Sequence, residues 1–159
     1  MGNFKEDIAR AEALIFDVDG VMTDGGIIPL PDGDFMRKYN AKDGYAIAYA
    51  VRVGCKIGII TGGRGRSLRH RLDMLGLTKI YMDCMDKIAA LNDFCTEQGV
   101  SPGRVVYMGD DIPDLECMRA VGIPVCPADA AAEVIEASRY VSELSLIHIS
   151  EPTRPISIS

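Results

Sequence analysis

Leu14-Ile15-Phe16-Asp17-Val18-Asp19-Gly20-Val21-Met22-Thr23-Asp24 decides the fold. The apolar run before Asp17 has no polar alternation, the pattern of a strand buried on both faces of a parallel sheet. It stops at two carboxylates two residues apart, followed by glycine. In open α/β sheets ligands bind beyond the carboxyl ends of the strands. Asp17 and Asp19 would meet there at like-charge distance, which is costly unless a cation holds them or one keeps a proton.

Two other stretches repeat the pattern. Lys56-Ile57-Gly58-Ile59-Ile60 runs into Thr61-Gly62-Gly63, and Val105-Val106-Tyr107-Met108 runs into Gly109-Asp110-Asp111. Between the strands lie helix signals, at 44–53 behind Asp43, at 66–75, from Asp86 to a stop at Gly99, at 113–120 and at 129–137. Short strands are expected at 80–82, at 123–126 and, on the edge, at 140–141. Pro31-Asp32-Gly33-Asp34 is a turn signal and predicts a projecting β-hairpin just after the carboxylate pair. Residues 1–12 predict a lead-in helix or a frayed end. Strands alternating with helices call for an α/β fold, a Rossmann-like parallel sheet with helices on both faces. Parallel strands share one carboxyl edge, so three polar clusters far apart in sequence should converge.

The totals suit one domain. The chain has 159 residues, of which 48% are hydrophobic and 25% charged. A formal net charge of −6 argues against nucleic acid as partner, since phosphate backbones need a basic surface. Cys55, Cys84, Cys95, Cys117 and Cys126 form no C-x-x-C pair and read as reduced, buried thiols of a cytoplasmic protein. No run approaches membrane-spanning length, so no membrane partner is expected. Residues 144–159 match no element pattern and resemble the translation of a sequencing-library adaptor; they are set aside as non-native, with the domain at 1–143.

The converging edge has the makings of phosphoryl chemistry. A Mg²⁺ ion takes oxygen ligands, few carboxylates and a substrate phosphate, which suits Asp17, Asp110 and the main-chain carbonyl of Asp19. Asp17 would then attack phosphorus. Asp19, not clamped, would protonate the leaving oxygen and later activate water. Thr61 offers a hydroxyl, Gly62 and Gly63 offer N–H groups at a helix start, Lys87 offers a cation, and Arg64 reaches an anionic substrate. Each feature also has a plain reading. A lone D-x-D is common turn chemistry, Asp110, Asp111 and Asp114 suit a helix cap, and the arginines at 64–71 suit a solvated face. Lys87 is the misfit, a cation in the first turn of its helix.

Together, Asp17-Val18-Asp19-Gly20, Thr61-Gly62-Gly63-Arg64, Lys87 and Gly109-Asp110-Asp111-Ile112-Pro113-Asp114 resemble the four motifs of the haloacid dehalogenase superfamily. Lys42-Asp43-Gly44-Tyr45 and Cys126-Pro127-Ala128-Asp129 resemble, more narrowly, its 3-deoxy-D-manno-octulosonate 8-phosphate (KDO 8-phosphate) phosphatases, over about residues 8–142. The resemblance implies a capless domain, Mg²⁺, Asp17 as nucleophile and Asp19 as general acid–base. It implies Thr61 and Lys87 on the phosphoryl group, Asp110 on the metal, and Asp111 and Asp114 in support. It further implies a homotetramer, a sugar-acid phosphate substrate and a place in lipopolysaccharide precursor synthesis. Relatives carry a Gly-rich basic tail where the adaptor-like segment stands, and often Gly where Asp83 stands. The alternatives are a phosphatase of nine-carbon ulosonate 9-phosphates, a tetramerising non-catalytic module of a sugar-nucleotide cytidylyltransferase, and a phosphoacceptor domain. The D-x-D-G order and the hairpin disfavour the last.

Overall fold

The structure, a computed structural model, describes residues 3–143 and the main chain of 157–158. Strands β1 (Ala13–Phe16), β4 (Lys56–Ile60), β5 (Lys79–Tyr81), β6 (Val105–Met108), β7 (Ile123–Pro127) and β8 (Tyr140–Ser142) pair in parallel in the order β5-β4-β1-β6-β7-β8. The expected α/β sheet is therefore present. β8 was expected at the edge, but β9 (Ser157–Ile158) pairs with it antiparallel, Tyr140 opposite Ile158. The rest of the adaptor-like tail lies outside the described residues.

Strict alternation sorts the core onto two faces. Leu14, Phe16, Val106 and Met108 pack with α1 (Phe4–Arg10), α2 (Ala41–Arg52) and α3 (Arg66–Met74). Ala13, Ile15, Val105 and Tyr107 pack with α4 (Lys87–Gln98), α5 (Leu115–Ala120) and α6 (Ala132–Ala137). Every second side chain of a strand faces the same layer, so a run without polar alternation is apolar toward both.

The register positions the site. Phe16 of β1 lies opposite Ile59 of β4 and Met108 of β6. Asp17 follows Phe16 directly, and Thr61 and Asp110 each come two residues past their partners, so all three leave the sheet at one edge. β1 is central and the predicted hairpin, β2 (Ile28–Pro29) with β3 (Phe35–Met36), is inserted just after it, with no cap domain among the described residues.

Several boundaries differ from expectation. Asp43 is not the cap of α2. Asn40 is, accepting from the N–H groups of Lys42 and Asp43, and Asp43 sits buried in the first turn. Either residue caps well, so the sequence pattern alone does not choose between them. The helix expected at 113–120 is a 3₁₀ turn, Ile112–Asp114, with a reciprocal Asp111–Asp114 capping box, followed by α5. Cys55 is exposed and Cys84 half-buried; Cys95, Cys117 and Cys126 are the buried thiols.

Asp83, between β5 and α4, has φ +49 and is the one non-glycine with positive φ among the described residues. Its N–H donates to the Gly63 carbonyl at 2.9 Å, which ties this loop to the one after β4. The left-handed region strains residues with a Cβ, so Asp83→Gly is expected to raise stability by up to about 1 kcal/mol. A shift of the urea midpoint to lower concentration would contradict this.

Candidate active site

A cavity of about 580 Å³ opens at the carboxyl edge, and its lining includes Asp17, Asp19, Thr61, Gly62, Gly63, Arg64, Lys87, Asp110, Asp111 and Asp114. All ten residues singled out in the sequence are thus gathered in one place. A second groove, about 570 Å³ and apolar, lies between α1 and α2 and is lined by none of them.

Asp17 is buried. Its Oδ1 accepts the Val18 N–H at 2.7 Å and its Oδ2 accepts Lys87 Nζ at 2.9 Å. Lys87 is also buried and donates to Asp114 Oδ1 at 2.8 Å. It is the first residue of α4, behind the Asp86 cap. Burial works against the ammonium, but Asp17 and Asp114 outweigh it and hold its pKa above the ordinary value.

Asp114, fully buried, also takes the Tyr107 hydroxyl on Oδ1 at 2.8 Å and the Asp110 and Asp111 N–H groups on Oδ2 at 3.1 and 3.3 Å. A carboxylate offers about four acceptor sites, and these four donors fill them. Asp114 therefore positions Lys87 and the Asp110 loop.

One oxygen each of Asp17, Asp110 and Asp114 lies within 4.8 Å of the others. Three carboxylates thus face one ammonium. Burial, with Asp114 adding and Lys87 opposing, pushes the Asp17 carboxyl up to about 7. Burial, with Asp114 and Asp111 adding, pushes Asp110 up to about 6. An all-oxygen set with excess negative charge fits a divalent cation of the Mg²⁺ kind. With Asp114 saturated, the free donors are Asp17 and Asp110.

Gly20 has φ +84, and a Cβ there would lie 1.7 Å from Asp110 Oδ2. The Asp110 carboxylate thus presses on the main chain beside Asp19. Gly20→Ala is expected to displace Asp110 and lower turnover by about 10²-fold, with weaker cation affinity seen by titration. Unchanged cation affinity would contradict it.

The Asp19 carboxylate is not among the clustered oxygens. Arg37 holds it, Nε at 2.8 Å from Oδ1 and Nη2 at 3.3 Å from Oδ2. Thr61 is buried and its Oγ1 accepts the Gly63 N–H at 3.0 Å, which leaves its hydroxyl hydrogen to donate. The Gly63 N–H is therefore not free for phosphate as expected. Gly62 and Gly63 also stand in the loop before α3, not at its start, since Gly65 is the N-cap. Arg64 is exposed and lines the cavity. Sequence reasoning missed Arg37 and Tyr107. Nothing in the local sequence marks either as reaching the site, since each acts through a contact with a distant or later segment.

The geometry has parallels in known proteins. Residues 73–145 match the model of the haloacid dehalogenase-like hydrolase family. The chain is 36% identical over 141 residues to the KDO 8-phosphate phosphatase of Escherichia coli K12, covering 87% of this chain and 75% of that protein. The chain belongs to this phosphatase family within the haloacid dehalogenase-like hydrolases. It is a phosphoric monoester hydrolase. The crystal structure of the family member from Yersinia pestis superposes with a TM-score of 0.84 at 34% identity, covering 89% of this chain and 76% of that one. A third relative, from Moraxella catarrhalis, was solved in complex with magnesium ion, phosphate ion and KDO; it gives a TM-score of 0.82 at 26% identity, covering 88% of this chain and 80% of that one. Among the described residues no helix is long and apolar enough to cross a membrane.

Proposed function

We propose that this chain hydrolyses KDO 8-phosphate to KDO and phosphate in lipopolysaccharide precursor synthesis, as a cytoplasmic, Mg²⁺-dependent homotetramer. The substrate assignment is supported by the 36% identity to the Escherichia coli enzyme. The observation that carries the chemistry is the Asp17–Lys87–Asp114 chain beside Asp110 at one sheet edge.

Asp17, Asp110 and the main-chain carbonyl of Asp19 would hold the cation. When bound it neutralises charge on the nucleophile and the phosphoryl oxygens. Asp17 attacks phosphorus in line. The bond from phosphorus to the sugar oxygen breaks, and that oxygen takes the proton of the Asp19 carboxyl. Water then attacks the phosphorus of the aspartyl-phosphate and gives a proton to Asp19, and the bond to Asp17 breaks. The Thr61 hydroxyl and Lys87 hold the phosphoryl oxygens throughout. Arg64 and the Gly62–Gly63 loop face the rest of the substrate.

Phosphate release from KDO 8-phosphate and from a nine-carbon ulosonate 9-phosphate, with Mg²⁺ or with chelator, tests the reading. The eight-carbon ester is expected to give a kcat/KM at least about tenfold higher, and chelator to abolish both activities. A preference for the nine-carbon ester would reassign the substrate. Tetramers with no turnover of either would favour the non-catalytic module.

A further inference from the structure

Arg37 follows directly on β3 and reaches back to Asp19, eighteen residues earlier. Its Nε and Nη2 take both carboxylate oxygens, a fork that fixes the plane of the carboxylate as well as its position. The Arg37 side chain is 3% exposed, against 32% for Asp19. Its Nη1 is buried with no protein partner among the described residues. A buried guanidinium with an unpaired N–H is an expensive way to brace a hairpin, and an apolar side chain would pack there at lower cost.

The surroundings are arranged around this arginine. A Cβ on Gly63 would lie 2.9 Å from Arg37 Nη2, so glycine at that position leaves room for the guanidinium. The turn end of the hairpin is fixed independently. Asp34 accepts the Ser67 N–H at 3.0 Å, and Ser67 Oγ donates to the Phe35 carbonyl at 2.8 Å. Asp34 so supplies α3 with the cap that its own Gly65 lacks. The hairpin therefore joins the general acid–base on one side to the helix behind the Thr61 loop on the other.

We infer that Arg37 is a positioning residue, which holds the Asp19 carboxylate at the point where the leaving oxygen departs and the attacking water arrives. This rests on the reading of Asp19 as general acid–base. In-line displacement at phosphorus puts the sugar oxygen opposite Asp17 in the first half-reaction and water in the same place in the second. One carboxylate serves both only if it stays put. The Asp19 side chain is about a third exposed, so its rotamers would otherwise be free. No bond is made or broken at Arg37.

The test compares two esters. An alkyl phosphate, the sugar-acid ester, needs a proton on its leaving oxygen, whereas 4-nitrophenyl phosphate leaves as a stable phenolate. Arg37→Met is expected to lower kcat/KM on the alkyl ester by about 10²-fold, chiefly in kcat, and on the aryl ester at least about tenfold less. Arg37→Lys, which keeps a charged donor but not the fork, should fall in between with the same preference, and carries the test if Arg37→Met does not fold. Equal losses of kcat/KM on the two esters in Arg37→Lys would overturn the inference, because kcat/KM reports the step in which the leaving group departs and a merely structural role does not distinguish leaving groups. Asp19→Asn is run alongside. If it discriminates between the esters and the Arg37 variants do not, positioning fails while Asp19 keeps its role. If Asp19→Asn does not discriminate, the general-acid reading fails and the inference falls with it.

Discussion

Asp17→Asn is expected to reduce phosphate release by at least about 10⁴-fold while the protein stays folded. The two halves of that statement have separate causes. The activity half follows from chemistry. An amide oxygen does not displace an alkoxide from phosphorus, and of the two carboxylates that Lys87 reaches only Asp17 keeps acceptor capacity to spare. Asp114 has its acceptor sites filled by Lys87, Tyr107 and two main-chain N–H groups. Asp19 is turned to Arg37. The folding half follows from electrostatics. Burial pushes the Asp17 carboxyl up to about 7, so its ionised form is disfavoured in place. Asparagine removes that charge and keeps the shape. It has one oxygen to offer to both the Val18 N–H and Lys87, so one hydrogen bond is lost. Those effects oppose each other, and the unfolding free energy without metal should change by no more than about 2 kcal/mol. Phosphate release and urea denaturation on one preparation measure both. Turnover above about one per cent of the parent would place the nucleophile elsewhere.

The sequence was most informative where one requirement dominates. The runs that became β1, β4 and β6 are apolar because both faces are covered, and each breaks to polar residues where the sheet ends. Parallel pairing then brings Asp17, Thr61 and Asp110 together without any knowledge of loops. Lys87 stood out because a cation opposes the dipole in the first turn of a helix. Less legible was anything that depends on a contact between distant segments. Arg37 directly follows a hairpin of only two residues per strand, and nothing local says that it reaches Asp19. Asp114 read as a helix cap or a supporting residue, and its hold on Lys87 and Tyr107 was not legible before its four donors were in view. Caps were ambiguous for a different reason, since Asn40 and Asp43 satisfy the same rule three residues apart. The Gly63 N–H looked free because the Thr61 hydroxyl that engages it comes from its own loop.

Lys87→Met should be the most destabilising single change at the site, by about 3–5 kcal/mol at pH 8 without metal. Lys87 Nζ lies 2.9 Å from Asp17 Oδ2 and 2.8 Å from Asp114 Oδ1, with all three residues buried. Methionine fills similar volume, so the loss is one of charge and not of packing. The defect should depend on pH in a definite direction. Asp17 and Asp110 carboxyls stand at about 7 and about 6 even with Lys87 pulling both down, and removing it raises them further. A carboxyl whose folded pKa exceeds its unfolded one binds more protons in the folded state between the two values. Unfolding free energy therefore falls as pH climbs from the ordinary 3.8 of Asp17 through its folded value of about 7. The variant is then closest to the parent at pH 5, where protons stand in for the ammonium, and furthest from it at pH 8. Millimolar Mg²⁺ should recover part of the pH 8 loss, because a cation bound only to the folded state stabilises it by mass action. Urea midpoints of parent and variant at both pH values, with chelator and with Mg²⁺, give all four comparisons. A defect of equal size at pH 5 and pH 8 would mean that the ammonium is not what balances these carboxylates, and the charge arrangement assigned to the site would have to be redrawn around another group.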